Sequence, residues 1–137
     1  MEECIFCRII KKELPSEIVY EDDEVVAFLT IGPVNKGHTL VVPKKHVVNL
    51  FDMDEATVGH VFSAVKKLVH PVTNAFNAHG ANVSINNNEA SGQIVMHAHA
   101  HIIPRYSTDK LAMWPHKTYA DGEMKETGEK IRKELQA

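Results

Sequence analysis

Long apolar runs are missing from these 137 residues, and so is any excess of positive charge. Without about 18 consecutive apolar residues, no transmembrane helix is expected. A formal net charge of -3 offers no broad basic field, so no nucleic-acid partner is expected. No repeat, low-complexity tract or linker divides the chain, and its length suits a single domain, 1–137, with a real core. Cysteine is scarce, at Cys4 and Cys7 only. The start, Met-Glu-Glu-Cys, has neither a basic stretch nor an apolar core, so no secretory signal is expected. A cytoplasmic setting follows as the expectation, and it would keep both thiols reduced.

What is present reads as alternating short strands and two longer helical patterns. Phe6 to Glu13 has Phe6, Ile9 and Ile10 on one face and is stopped by Pro15, which predicts a short helix. Ile18 to Tyr20 and Val25 to Leu29 read as strands around a charged turn, and His38 to Val42 as a third, closed by Pro43. Asp52 with Glu55 resembles a capping box for a long helix. Val58, Val61, Phe62, Val65, Leu68, Val69, Val72 and Phe76 follow its i, i+3, i+4 pattern. Pro71 should kink or break that helix, and Gly80 should stop it. Val83 to Asn86 and Met96 to Ile103 are the last two strands, with a helix from about 122 to 135 in the tail. This order predicts an α+β domain: an antiparallel sheet with helices packed beside it.

Nine histidines are the most informative feature of the composition. His97, His99 and His101 stand two apart, and in an extended strand that period sets all three imidazoles on one face. Met96, Ala98, Ala100 and Ile102 would fill the other. A solvated histidine-rich strand is the plainest explanation, but strict alternation plus His38 on another strand speaks against it. A zinc held by all three fits poorly: the outer residues stand about 13 Å apart at ~3.3 Å per residue. Metal–nitrogen bonds are only about 2.0–2.1 Å, so one or two of the three at most should meet an ion. Covalent catalysis uses every residue: an imidazole nitrogen attacks phosphorus, and its neighbours fix the tautomer and stabilise charge. His60, His70 and His79 read more plainly as solvated, and His116 lies in the tail by Trp114. Cys4-x-x-Cys7 is compatible with two small helix residues, a redox pair, or half of a tetrahedral zinc site needing two more ligands.

His97-Ala98-His99-Ala100-His101-Ile102-Ile103 resembles the His-x-His-x-His-apolar-apolar signature of the histidine-triad family of nucleotide hydrolases and transferases. Cys4 to Ile10, Tyr20 to Phe28 and Gly37 to His46 resemble its N-terminal half, so the likeness covers about 4–105, leaving a C-terminal extension. The resemblance implies a five-stranded antiparallel sheet with flanking helices, paired in a homodimer as one continuous ten-stranded sheet. It also implies attack on the α-phosphate of an adenosine phosphoramidate or dinucleoside polyphosphate, through a nucleotidyl-histidine that water resolves to a nucleoside monophosphate. By matched position His99 is the nucleophile, His101 hydrogen-bonds the phosphate or leaving group, and His38 completes the cluster. Asn86 and Gln93 match positions that orient phosphate and leaving group. Ile5, Phe6, Ile9, Phe28 and Ile31 match the apolar clasp on a purine base.

Thr30 stands where the family commonly has an Asp that grips the ribose. Ile94 replaces the Ser of the phosphoramidase branch, and Pro104-Arg105 follow the triad as in the fragile-histidine-triad branch. Members with this Cys pair often bind a structural zinc, which here implies Cys4, Cys7, His46 and His97 as ligands. Two further readings keep the same residues: a nucleotide-binding regulator with incidental catalysis, and a metal-dependent hydrolase.

Overall fold

The computed structural model describes residues 4–137. Along the chain come α1 (Ile5–Ile10), β1 (Ile18–Glu21), β2 (Val25–Leu29), β3 (Thr39–Pro43), α2 (Glu55–Ala75), β4 (Gly80–Ile85), β5 (Ala100–Arg105) and α3 (Glu123–Leu135). The five strands form one sheet in the order β1-β2-β3-β5-β4, antiparallel at every junction. The expected α+β architecture is the one observed.

Both faces of the sheet are covered, which explains why β2 and β3 read as continuous apolar runs. One face packs Val25, Ala27, Val41, Ala100 and Ile102 against Val61, Ala64, Val65, Leu68 and Val72 of α2. The other packs Val26, Phe28, Leu40 and Val42 against Phe6 and Ile9 of α1. Leu40 pairs with His101 across the β3–β5 ladder. Directly opposed residues share a face, so His101 stands on the α1 side.

Several local expectations are corrected. The N-cap of α2 is Asp54, whose carboxylate accepts from the Thr57 N–H at 2.8 Å. Asp52 instead accepts from the N–H groups of Val48 and Asn49, closing the preceding turn. Pro71 neither breaks nor ends α2. It lacks an N–H for the Lys67 carbonyl, but Pro71 and Lys67 both lie on the exposed side, where water can serve that oxygen. The helix ends at Ala75, before Gly80, which opens β4 instead.

The largest correction concerns the histidine strand. β5 starts at Ala100, so His97 and His99 precede the ladder and His97 lies in a bend. Met96 is therefore exposed instead of packing beside Ala98, which is buried. In α3, Gly122 takes the N-cap position with φ +78°, and no residue of the helix is buried.

Ile102 is fully buried between β3 and β4 and under α2. Ile102→Ala should lower the unfolding free energy by about 2–5 kcal/mol, read by urea titration. A loss below about 1 kcal/mol would contradict this account of the core.

Candidate active site and metal centre

Three histidine rings, His38, His99 and His101, cluster together, with Phe6 of α1 against His99. The rings of His99 and His101 are 4.9 Å apart, and those of His38 and His101 are 5.2 Å apart. Phe6 stands edge-on to His99 at 5.1 Å and to His97 at 6.0 Å. The bend at His97 turns the first histidine away from the other two and toward the N-terminal helix.

Backbone partners dictate the tautomer of each ring, because a carbonyl only accepts and an amide N–H only donates. His99 Nδ1 lies 2.8 Å from the His97 carbonyl, so Nδ1 carries the proton and Nε2 keeps its lone pair. His97 Nε2 lies 2.8 Å from the Pro43 carbonyl, so that nitrogen is protonated and Nδ1 is free to ligate. The Val34 N–H donates to His38 Nδ1 at 3.1 Å, which leaves the proton on Nε2. His38 Nε2–H then donates to His101 Nδ1 at 2.9 Å. His101 in turn must carry its proton on Nε2, and that buried atom has no partner among the described residues. A ring with a free lone pair, His99, thus stands 4.9 Å from a ring with an unspent N–H donor, His101.

Burial reinforces this arrangement by disfavouring imidazolium. It holds His99 below its ordinary pKa, against the opposing hydrogen bond to the His97 carbonyl. Burial, then the proximity of His99, lowers His38 as well. His101 is lowered to about 4, first by burial and then by the like charges His99 and His38 would carry. His97 is also lowered to about 4, mainly by burial. Each of these shifts favours the neutral ring over imidazolium.

The Nδ1 of His97 meets Cys4, Cys7 and His46, whose ligand atoms all lie within 4.8 Å of one another. His97 Nδ1 is 3.4 Å from Cys4 Sγ, 3.6 Å from Cys7 Sγ and 3.1 Å from His46 Nδ1, and Cys7 Sγ is 3.3 Å from His46 Nδ1. Tetrahedral zinc with bonds of about 2.3 Å to sulfur and about 2.0 Å to nitrogen puts its ligands roughly 3.3–3.8 Å apart. The residues fit zinc. Four protein ligands close the coordination sphere, which marks the site as structural and speaks against a metal-dependent hydrolase. Without the ion, burial and then the neighbouring Cys4 push the Cys7 thiol up to about 11, so loading must displace a proton. Cys4 also caps α1, its sulfur accepting from the Cys7 N–H at 3.3 Å.

The remaining expected site residues divide. Phe6, Ile9 and Phe28 are buried together, with the Phe6 and Phe28 rings 5.3 Å apart, whereas Ile5 and Ile31 are exposed. The Thr30 hydroxyl accepts from the Gly32 N–H at 3.2 Å within the loop after β2. Asn86 follows β4 and sets its carboxamide beside Gly92.

Gln93 makes four hydrogen bonds with the loops around it. Its amide donates to the Val48 and Val95 carbonyls at 2.6 and 3.1 Å, and its oxygen accepts from Asn49 Nδ2 and the Asn88 N–H at 3.0 and 2.8 Å. This buried knot restrains the loop before the triad, where Asn88 adopts φ 74°, ψ 161°. That region is nearly confined to glycine and costs about 1–3 kcal/mol. Asn49 and Val34 escaped sequence reasoning, since an isolated loop Asn and a backbone N–H carry no pattern.

Comparison with known proteins agrees with this geometry. The HIT domain family matches residues 11–108. Protein hit of Bacillus subtilis is 46% identical over 122 residues, covering 88% of this chain and 83% of its own. Adenosine 5'-monophosphoramidase hnt1 of Schizosaccharomyces pombe is 35% identical over 134 residues, covering 96% and 98%. The crystal structure of SMU.412c from Streptococcus mutans superposes with a TM-score of 0.93 at 38% identity, over 98% of this chain and 87% of that one. A zinc-bound histidine triad family protein from Mycobacterium smegmatis gives 0.77 at 34% identity, over 94% and 90%.

Elemental analysis of the purified protein should find about one zinc per chain. Cys7→Ser should lose most of it and lower the Tm by several degrees. A second outcome concerns acid. The folded pKa of about 4 for His101 lies below the ordinary value of about 6.5, so between those pH values the unfolded chain binds the extra proton. Stability should therefore be full above pH 6.5 and fall as pH drops toward 4. Urea titrations of His101→Gln should show a weaker pH dependence than the native chain over that window.

Proposed function

This chain belongs to the histidine-triad (HIT) family, and from that premise we propose that it is a nucleotidyl hydrolase working through His99. The supporting observation is the pair of opposed tautomers: a bare Nε2 on His99 beside an unpartnered Nε2–H on His101. The substrate is a nucleotide carrying a leaving group on its α-phosphate, either an adenosine phosphoramidate or a dinucleoside polyphosphate.

In the first step the lone pair of His99 Nε2 forms a bond to the α-phosphorus as the bond to the leaving group breaks, and the leaving amine or nucleotide departs into solvent, the amine taking up a proton from water. As charge moves onto the phosphoryl and leaving atoms, His101 Nε2–H donates a hydrogen bond to it. The His99 Nδ1–H bond to the His97 carbonyl strengthens as the ring becomes cationic. In the second step water attacks the same phosphorus and releases a proton to solvent, the N–P bond breaks with its electron pair returning to Nε2, and a nucleoside monophosphate leaves with neutral His99 restored.

The remaining roles belong to the same reading. Ile5 and Ile31, exposed beside buried Phe6, Ile9 and Phe28, clasp the purine. Thr30 offers the ribose a single hydroxyl, and Asn86 turns toward the phosphate. Zinc, when bound at Cys4, Cys7, His46 and His97, supplies a cross-link between α1 and the segment bearing His99. The protein works as a homodimer, which sedimentation would test directly.

His99→Ala should lower kcat for an adenosine phosphoramidate or diadenosine polyphosphate by at least about three orders of magnitude. Acid-quenched native enzyme should carry a nucleotidyl group that the variant lacks. Turnover unchanged in His99→Ala, on a substrate that the native protein cleaves, would sink the assignment. Because burial lowers His99, the acid limb of kcat/KM should lie below pH 6.5.

A further inference from the structure

The donor on His101 depends on a proton placement that begins outside the histidine cluster. The Val34 N–H makes His38 Nδ1 an acceptor, which puts the proton on His38 Nε2 and so makes His101 Nδ1 an acceptor too. Were His38 to take the other tautomer, its bare Nε2 would face His101 Nδ1. The favourable response is a proton on His101 Nδ1, which would leave His101 Nε2 with a lone pair. A lone pair there repels a phosphoryl oxygen instead of binding it.

Val34 lies in the loop between β2 and β3, and its neighbour Asn35 ties that loop down. Asn35 Nδ2 donates to the Pro104 carbonyl on β5 at 2.8 Å and to Asp109 Oδ2 at 3.2 Å. The Asn35 carbonyl accepts from the His38 N–H at 3.1 Å, so one residue grips both the triad strand and the His38 backbone. Asp109 is itself fixed by Arg105, whose Nε and Nη2 reach its two oxygens at 2.8 and 3.1 Å. The N–H groups of Tyr106 and Leu111 complete its contacts at 3.0 and 3.1 Å. Arg105 Nη1 also donates to Asn82 Oδ1 on β4. Gly37 allows the tight return, since a Cβ there would fall 2.5 Å from the Phe76 ring and its φ is +92°.

We propose that Asn35, braced by Asp109 and Arg105, is a positioning residue that selects the tautomer in which His101 donates to the phosphoryl group. Asn35 touches no reacting atom; it acts through Val34 and His38. The same contacts give Arg105, the residue after Pro104 beyond the triad, a use. Its bidentate grip converts the turn after β5 into the wall on which Asn35 hangs. The catalytic consequence rests on the hydrolase reading above, whereas the tautomer itself does not.

The test uses the intact zinc-loaded protein with nitrogen-15-labelled histidine. Long-range nitrogen–proton spectra should show native His38 as the Nε2–H tautomer alone. Asn35→Ala should show a mixture of tautomers, and kcat for the phosphoramidate should fall at least about tenfold with KM within about threefold. Asp109→Ala, in the turn beyond β5, removes the brace from the other side and should move both readouts in the same direction. His38 remaining wholly in the Nε2–H form in both variants would overturn the proposal. The spectra need no turnover, so a failed anchor and a failed hydrolase assignment are seen separately.

Discussion

The hydrogen bond from His99 Nδ1 to the His97 carbonyl, 2.8 Å long, decides which nitrogen of the central imidazole keeps its lone pair. An imidazole in water exchanges its two tautomers freely. Here the acceptor belongs to the backbone, so it cannot rotate away or ionise. Burial then withholds the second proton that would quench the ring.

That constraint ties the two centres together through one residue. His97 accepts the His99 proton with its backbone, donates to the Pro43 carbonyl with Nε2, and faces the sulfurs with Nδ1. The carbonyl partner on Nε2 is the kind of outer contact that fixes a metal-ligating histidine in one orientation. It is also why the zinc group belongs to the fold. A helix as short as α1 has no stability of its own and depends on its cap and its packing. Cys4 supplies the cap, Phe6 and Ile9 supply the packing, and Phe6 lays its edge on both His97 and His99.

Much of this is legible in the sequence. The order of elements, the antiparallel sheet and the apolar stripe of α2 follow from periodicity, because burial on a given face demands it. The four metal ligands and the grouping of His38, His99 and His101 followed from the motif resemblance, and the geometry brings each set together. Elsewhere the pattern misled. Met96 alternates with the histidines yet is exposed, because the ladder begins only at Ala100. Asp52 sits three residues before Glu55 yet caps a turn, since Asp54 takes the helix. Gln93 makes hydrogen bonds to Val48, Asn49, Asn88 and Val95 that no sequence pattern announces.

What the residues determined alone was therefore the inventory and its spacing: three alternating imidazoles, a fourth on a neighbouring strand, two thiols at ligand distance and a sheet to carry them. Only the folded chain decided where each proton resides and which way each ring turns. Those choices depend on carbonyls and amides at Pro43, Val34 and His97, groups common to all residues and therefore silent in any sequence. Periodicity encodes which side chains are buried; proton placement arises from backbone contacts between segments distant along the chain.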